Sequence, residues 1–321
     1  MKKIAILTSG GDAPGMNACI RACVRSAINS GLEVYGVERG YFGLVNNNIF
    51  PMDTHSVCDI VQKGGTILKT ARCLEFKFPE TRKKAADNLK ALGIEGLVVI
   101  GGDGSFRGAR DLSERGIPCV GLPGTIDNDI ACCDHTIGYD TCLNTIMEMI
   151  DRLRDTSESH DRCSVVEVMG RRAGWLALNS GIACGATSIL IPEVPFDIER
   201  DVIQRMRKTM LTDKKHFIIV VAEGCEIDVH DLAKEIEEKT GVESRATVLG
   251  HTQRGGYPTA RDRVMATKMG NYAVKLLMNN IGNRVVAAQK EEVVDYDIFE
   301  ALNMTKTIDM NLYNIAHEVS I

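Results

Sequence analysis

The chain has no pair of cysteines at C-x-x-C spacing and no His-x-His pattern beside its 11 cysteines, so a structural zinc site has no sequence support. No apolar run approaches the roughly 18 residues a membrane span needs. The amino-terminal run Ile4–Leu7 in MKKIAILTSGGD is likewise too short for a signal peptide. Basic charge is not in excess: the net charge is −5 and the pI about 5.9, which argues against a nucleic-acid partner. With no low-complexity linker, and with 44% hydrophobic and 25% charged residues, the composition is that of an ordered globular protein. The scattered thiols read as small buried side chains in a reducing cytoplasm, and 321 residues suggest two domains of ordinary size.

What is present is a recurring pattern of short Ile- and Val-rich runs: Ile4–Leu7, Leu97–Ile100, Val165–Val168, Ile189–Ile191, Phe217–Val221 and Thr247–Leu249. Helical periodicity lies between them, as in Met16, Ile20, Cys23, Val24, Ala27 and Ile28, closed by Gly31, and in Leu143, Ile146, Met147, Ile150 and Leu153. Continuous apolar strands alternating with amphipathic helices predict an α/β protein with mainly parallel sheets covered on both faces.

Two stretches echo one another. ILTSGGDAPG (Ile6–Gly15) and VVIGGDGSFRG (Val98–Gly108) each place G-G-D after a strand and before a helix, where open α/β sheets bind ligands and helix ends favour phosphate. Neither is a dinucleotide fingerprint, because Arg107 stands three positions after Gly104, and no G-x-x-x-x-G-K-[ST] loop occurs. Asp103, a carboxylate among glycines, would repel phosphate alone and so suggests Mg²⁺. The run CVGL is followed by PGTIDND (Pro123–Asp129), where two acids two positions apart need a cation to offset them. An extended backbone would turn Thr125, Asp127 and Asp129 to one side. Phosphoryl transfer needs a base, an orienting hydroxyl and a positive charge; Asp127, Thr125 and Arg171 suit those parts, and Asp129 suits a metal. Downstream, Arg245, His251 and Arg254 could hold a phosphorylated substrate, with Glu223 accepting from sugar hydroxyls. Each feature alone also has a bland reading: a tight connection at Gly10–Asp12, turn caps at Asp127 and Asp129, solvated cations at Arg171 and Arg172, and a packed His251.

Together LTSGGDAPGMNA, VVIGGDGS, GLPGTIDND, SVVEVMGR and ATVLGHTQRGG resemble the bacterial ATP-dependent 6-phosphofructokinases, phosphofructokinase family A, along essentially the whole chain. The resemblance implies transfer of phosphate from ATP to the 1-hydroxyl of fructose 6-phosphate with Mg²⁺, in glycolysis. It implies two Rossmann-like three-layer lobes with the active site in the cleft between them. Residues 1–138 with about 252–303 would form the ATP-binding lobe, and 139–251 with about 304–321 the fructose 6-phosphate lobe. Gly11, Arg72, Cys73, Gly102, Asp103, Gly104 and Ser105 would contact ATP, with Asp103 and Asp129 on the metal. Catalysis would fall to Asp127 as proton acceptor, with Thr125, Arg171, Asp129, Gly11 and Arg72. Substrate contacts would come from Thr125, Ile126, Asp127, Arg162, Met169, Gly170, Arg171, Glu223, Arg245, His251, Thr252, Gln253 and Arg254, with Arg162 and Arg245 reaching in from a neighbouring subunit of a homotetramer.

Pyrophosphate-using relatives carry Asp and Lys where this chain has Gly104 and Gly124, so glycine leaves room for a nucleotide and ATP is the expected donor. An effector site for ADP or phosphoenolpyruvate would involve Arg21, Ala22, Cys23, Val24, Arg25, Asp59, Arg154, Gly185, Lys214, Lys215 and His216. Here the chain departs from regulated members, with Thr54 for Arg, Thr187 for Glu and Thr212 for Lys, which implies weakened or altered regulation. The competing readings are a non-catalytic nucleotide sensor, a nicotinamide-dependent oxidoreductase and a kinase of another phosphosugar such as tagatose 6-phosphate.

Overall fold

The computed structural model describes residues 1–320. In chain order the first elements are β1 (Lys3–Thr8), α1 (Met16–Asn29), β2 (Glu33–Val37), α2 (Gly40–Val45), β3 (Ile49–Met52), α3 (Pro79–Ala91), β4 (Gly96–Gly101), α4 (Asp103–Ser113) and β5 (Cys119–Pro123). They are followed by α5 (Tyr139–Ser159), β6 (Cys163–Val168), α6 (Trp175–Ala183), β7 (Ser188–Leu190), α7 (Gln204–Met210), β8 (Phe217–Ala222), α8 (Val229–Thr240) and β9 (Ser244–Val248). The chain then forms α9 (Ala260–Met278), β10 (Arg284–Gln289), β11 (Glu292–Asp297), α10 (Ile298–Asn303) and α11 (Met310–Val319). Two compact units result: Met1–Thr141 with Arg254–Lys306, and Cys142–Gln253 with the chain from Thr307 onward.

The first unit holds a seven-stranded sheet in the order β11-β10-β5-β4-β1-β2-β3. Pairing is parallel from β10 through β2, while β3 and β11 are antiparallel at the two edges. β4 is buried along its whole length, GLVVIG, as a strand covered on both faces must be. Strand order reverses direction beside β1, whose neighbours are β4 and β2, and this is the point where open α/β sheets place ligands. In α1 the apolar stripe predicted from the sequence is buried except for Ile28, and Gly31 takes φ +79° just past the Ser30 cap.

The second unit has four parallel strands in the order β7-β8-β6-β9. Phe217, Ile219 and Val221 of β8 pack with Val165 of β6 and Leu232 and Ile236 of α8. The strand expected at Thr247–Leu249 instead runs Ser244–Val248, because Ser244 and Arg245 pair with Cys163 and Ser164 of β6. Sequence reading passed over β2, β3, β10 and β11. The thiols are free, and all but Cys58, Cys73 and Cys225 are buried, among the described residues.

One buried carboxylate ties the start of α9 to the turn ahead of α5. Asp262 accepts from the Gly138 N–H at 2.9 Å, the Thr141 N–H at 2.9 Å and the Thr141 hydroxyl. Gly138 is required there: φ is +100°, and a Cβ would lie 2.7 Å from that of Ala13. Burial pushes the Asp262 carboxyl up to about 6 from 3.8, against the lowering by its three donors. The folded chain therefore holds this proton more tightly than the unfolded chain. The group's contribution to stability is greatest below about pH 4, declines as pH rises to about 6 and is level above that. Relative to Asp262→Asn, which cannot ionise, the wild type is expected to lose on the order of 3 kcal/mol between pH 4 and pH 7. Denaturant midpoints of the two proteins across that range check it; parallel curves would refute the assignment.

Candidate active site

Three loops leave the carboxyl ends of three adjacent parallel strands in the first unit. β1 and β4 pair through Thr8↔Ile100, and β4 and β5 through Gly101↔Pro123. The Ser9 N–H donates to the Ile100 carbonyl at 2.9 Å and the Gly124 N–H to the Gly101 carbonyl at 3.0 Å, so the pairing continues into the loops. Side by side, Gly10 and Gly101 lie against Ser105, and a Cβ on Gly101 would meet both Ser105 Oγ and the Ser9 carbonyl at 2.4 Å. The two G-G-D stretches are not equivalent, however. Asp103 opens α4 directly, whereas Asp12 is separated from α1 by Ala13–Gly15.

Other predicted nucleotide residues are brought to the same strand ends. The Thr8 hydroxyl donates to the Lys69 carbonyl at 2.8 Å and the Thr70 hydroxyl to the Gly10 carbonyl at 2.5 Å, which stitches the segment carrying Arg72 and Cys73 onto β1. Arg254 presses on Gly11: a Cβ there would lie 2.5 Å from Nη1, which also donates to the Asp12 carbonyl at 3.2 Å. Asp103 pairs with Arg107 one turn on, at 2.9 Å, both half exposed; such a pair is worth little and is easily exchanged. The position at Gly104 is open, with nothing within 4 Å of a Cβ, but at Gly124 a Cβ would lie 3.0 Å from Ile100 Cγ2 and Met16 Cε. A side chain at 124 would thus crowd the protein's own packing, with Ile100 and Met16 having to give way by a few tenths of an ångström.

The loop after β5 departs from the expected extended form. Thr125, Ile126 and Asp127 are buried, the Asp127 N–H donates to Thr125 Oγ1 at 3.2 Å, and Asn128 takes φ +53°. The left-handed residue breaks the two-residue alternation, so the expectation that Thr125, Asp127 and Asp129 share one face by strand geometry does not hold. Asp127 is 3% exposed, while Asp129 is only partly buried. Side chains hold the turn. Asn128 accepts the Thr136 N–H at 3.1 Å and donates to the Asp134 carbonyl at 3.0 Å, and the Thr136 hydroxyl donates to the Thr125 carbonyl at 2.6 Å. Lys306 donates to the Asn128 and Cys133 carbonyls at 2.8 and 2.7 Å; burial lowers its pKa. Asn128 lies within PGTIDND but has no role there that spacing reveals, and Thr136 and Lys306 belong to no motif.

In the second unit the carboxyl end of β6 carries Met169, Gly170 and Arg171. The Met169 N–H donates to Gln253 Oε1 at 3.0 Å, and Gln253 is fully buried. Glu223 Oε1 accepts from the Gly170 N–H at 3.1 Å and the Arg171 N–H at 2.5 Å, so Glu223 braces the Arg171 turn, which was not anticipated. Arg171 has φ +56°. Burial, with Glu223 nearby, raises the pKa of Glu167 in the same strand. His251 and Thr252 are exposed rather than packed in the core, and the Thr252 hydroxyl donates to the Leu249 carbonyl at 2.6 Å.

Arg162 and Arg245 lie elsewhere. Arg162 stands just before β6 and Arg245 second in β9, both paired with Glu243, Arg162 at 2.8 Å; Arg162 holds the Glu243 carboxyl below its ordinary range. Arg162 and Met169 bracket the six residues of β6, roughly 23 Å of strand rise, so one copy of this unit does not bring them together. Of the residues expected to bind an effector, Ala22, Cys23 and Val24 are buried, the first two against Gly270 of α9, and so have no side chain to offer; Arg21 and Arg25 reach partial exposure. Arg154 donates to the Cys184 carbonyl next to Gly185, burial followed by Arg154 lowers the Lys214 pKa, and Lys215 and His216 lead into β8. Thr187 is 1% exposed.

The Arg171 turn makes a stability prediction. Gly170 has φ +136°, and a Cβ there would meet the Ala173 carbonyl at 2.4 Å, whereas Gly241 at the α8 cap, φ +74°, has nothing within 4 Å. Gly241→Ala is expected to cost about 1 kcal/mol and Gly170→Ala clearly more, roughly 2–3 kcal/mol. Thermal unfolding of both variants decides; equal losses would mean that the Gly170 turn carries no steric demand.

A sequence profile described as Phosphofructokinase matches residues 3–277. An ATP-dependent 6-phosphofructokinase of Clostridium tetani is 56% identical over the whole of both chains, as is one of Bacillus pumilus. Among solved structures, a phosphofructokinase of Saccharomyces cerevisiae superposes with TM-score 0.89 at 36% identity, covering 100% of this chain and 48% of its own. A pyrophosphate-dependent phosphofructokinase of Marinobacter aquaeolei shares the fold, with TM-score 0.87 at 20% identity over 97% of this chain and 86% of its own. The chain belongs to the phosphofructokinase family.

Proposed function

We propose that the protein is an ATP-dependent 6-phosphofructokinase, which transfers the terminal phosphate of ATP to the 1-hydroxyl of fructose 6-phosphate and releases fructose 1,6-bisphosphate and ADP. The observation that carries this reading is the 56% identity to a named ATP-dependent 6-phosphofructokinase over the full length of both chains. The open space at Gly104 favours the bulkier nucleotide over pyrophosphate. A cytoplasmic, glycolytic setting goes with the reading; no helix among the described residues is long and apolar enough to cross a membrane.

Asp127 takes the proton of the sugar hydroxyl. Its 3% exposure keeps competing water away. Thr125 Oγ1 accepts the Asp127 N–H, which leaves the hydroxyl proton to orient an oxygen of the reacting group. Arg171, on the turn braced by Glu223, stabilises charge on the transferring group, and Gly11, Arg72, Cys73, Gly102, Gly104 and Ser105 cradle ATP. Met169, Gly170, His251, Thr252 and Arg254 line the sugar-phosphate path, while Ile126 and Gln253 are fully buried and shape it from behind, Gln253 by accepting the Met169 N–H. Asp103 and Asp129 would hold Mg²⁺, which neutralises phosphate charge when bound. The described residues contain no cluster of three or more ligands, and two carboxylates completed by substrate phosphates fit that ion's habit. Because β6 separates Arg162 from Met169, Arg162 and Arg245 serve a neighbouring copy, and the working unit is an oligomer with shared sites, a homotetramer.

Asp127→Ser is expected to lower kcat roughly 10²–10⁴-fold with a modest change in KM for fructose 6-phosphate, read from fructose 1,6-bisphosphate formation with ATP and, as control, pyrophosphate. Turnover within about twofold of wild type, or turnover with pyrophosphate alone, would refute the assignment.

Regulation by ADP or phosphoenolpyruvate is weakened. Thr187 is 1% exposed, and the Thr212 hydroxyl is spent on the Thr209 carbonyl at 2.7 Å, so neither supplies a charge to an anion. Saturation by fructose 6-phosphate is expected to be near hyperbolic, with ADP moving the half-saturation point less than about twofold. Strongly sigmoidal curves made hyperbolic by ADP would contradict this.

A further inference from the structure

We propose that Lys306 is a positioning residue of the phosphoryl-transfer loop: its ammonium, seated among the carbonyls of Asn128, Cys133 and Asp134, holds the left-handed turn that sets the direction of Asp127. This rests on the reading of Asp127 as the base.

Between Gly124 and Thr136 the chain forms neither helix nor strand, so no ladder of backbone bonds fixes it. Lys306 Nζ lies 2.8 Å from the Asn128 oxygen, 2.7 Å from that of Cys133 and 3.4 Å from that of Asp134. An ammonium carries three N–H donors, and three carbonyl oxygens converge on it. Without a cation their negative ends would face one another in a largely buried place. Asn128 is the weak point of that cage, since it stands at φ +53°, and its carbonyl belongs to the peptide that follows Asp127 by one residue. Relaxing the cage would swing Asp127, and a displacement of about 1 Å in a reacting group can cost about 10²-fold in rate. Elsewhere the far part of the loop is held to β10 and its end, through the Asp134 N–H to the Ala288 carbonyl at 2.8 Å and the Lys290 N–H to Asp134 at 2.9 Å, while the bonds of the Asn128 side chain to Thr136 and Asp134 tie the loop to itself. Lys306 joins the Asn128 carbonyl to that anchored part. Lys306 is the last residue of the first unit and brings in a distant stretch of chain between α10 and α11.

Lys306→Ala is expected to lower kcat roughly 10²-fold while KM for ATP and for fructose 6-phosphate stays within about threefold. Propylammonium restores the atoms removed and should raise the variant's kcat but not the wild type's; propanol, uncharged and of the same shape, should not. Lys306→Gln, which keeps a neutral donor, should fall between the two. The proposal is overturned if Lys306→Ala stays within about twofold of wild-type kcat, or if kcat and both KM values worsen together without recovery in propylammonium. Should Lys306→Ala not fold, Lys306→Gln within about twofold of wild type overturns it; failure of both to fold does so too, marking the lysine as a stability element. A wild-type protein inactive with ATP and fructose 6-phosphate would strike the phosphofructokinase reading instead.

Discussion

Register between three parallel strands governs what the first unit can do. Because β4 lies between β1 and β5, with Thr8 opposite Ile100 and Gly101 opposite Pro123, the chain must leave all three at one edge and at nearly one level. Two further backbone bonds, from Ser9 to Ile100 and from Gly124 to Gly101, extend that alignment into the loops. A slip of one residue in either pairing would move every side chain of the slipped strand to the opposite packed face, where it would meet neighbours shaped for a different residue. The glycine loops, the start of α4 and the Asp127 turn are therefore set by the sheet's apolar burial and need little local stability of their own. The same reasoning explains why left-handed backbone is placed there: Gly10 at φ +87° and Asn128 at φ +53°, two residue types that enter this region at small cost, sit on a scaffold that fixes them.

The strands that enforce this register were the easiest part to read from the amino acids. A strand buried on both faces must be a run of Ile, Val and Leu, and β1, β4, β6 and β8 advertise themselves by that alone. β3 and β11 did not, because an edge strand pairs on one side only and mixes polar with apolar residues: EVVDYD in β11 is nowhere fully buried. β2 is broken up by Glu33, Tyr35 and Gly36, and β10 offers only the short apolar stretch Val285–Ala288. Motif residues were legible as chemistry but not as geometry. Asp127 and Asp129 could be named as acids with a purpose, yet their relative facing depended on Asn128, and asparagine is one of the few residues that enters the left-handed region at small cost. Least legible were the residues that act at a distance. Asp262 meets Gly138 across 124 positions and Lys306 meets Asn128 across 178, and neither sits in a pattern that spacing along the chain can reveal.

Glycine carries two different messages in this chain, and the structure separates them. At Gly104 a side chain would meet nothing, so the protein's own packing does not require glycine there. At Gly124, just past β5, a Cβ would press on Ile100 and Met16, so a side chain there would have to displace the protein's own packing before any ligand arrives. The donor-size argument for ATP is thereby carried by Gly104, and a lysine at position 124 in a relative would require its neighbours to be smaller as well. Gly170 belongs to the second kind, since its φ of +136° and the closeness of the Ala173 carbonyl shape the turn on which Arg171 stands.

The second unit contributes a constraint of length. Parallel strands rise about 3.3 Å per residue, and β6 spans six residues with Arg162 at one end and Met169–Arg171 at the other. Side chains at the amino end cannot reach ligands at the carboxyl end of the same strand. Glu243, between Arg162 and Arg245, keeps both guanidinium groups compensated where they stand, and at partial exposure those pairs are weak enough to be given up for a doubly charged phosphate, which arginine binds in bidentate fashion. Two arginines held at the wrong end of their own strand are of use to a sugar phosphate only if another copy of the chain presents its site to them. On the proposed reading, a dissociated subunit would keep Asp127 and the glycine loops while losing two of the cations proposed to hold the substrate.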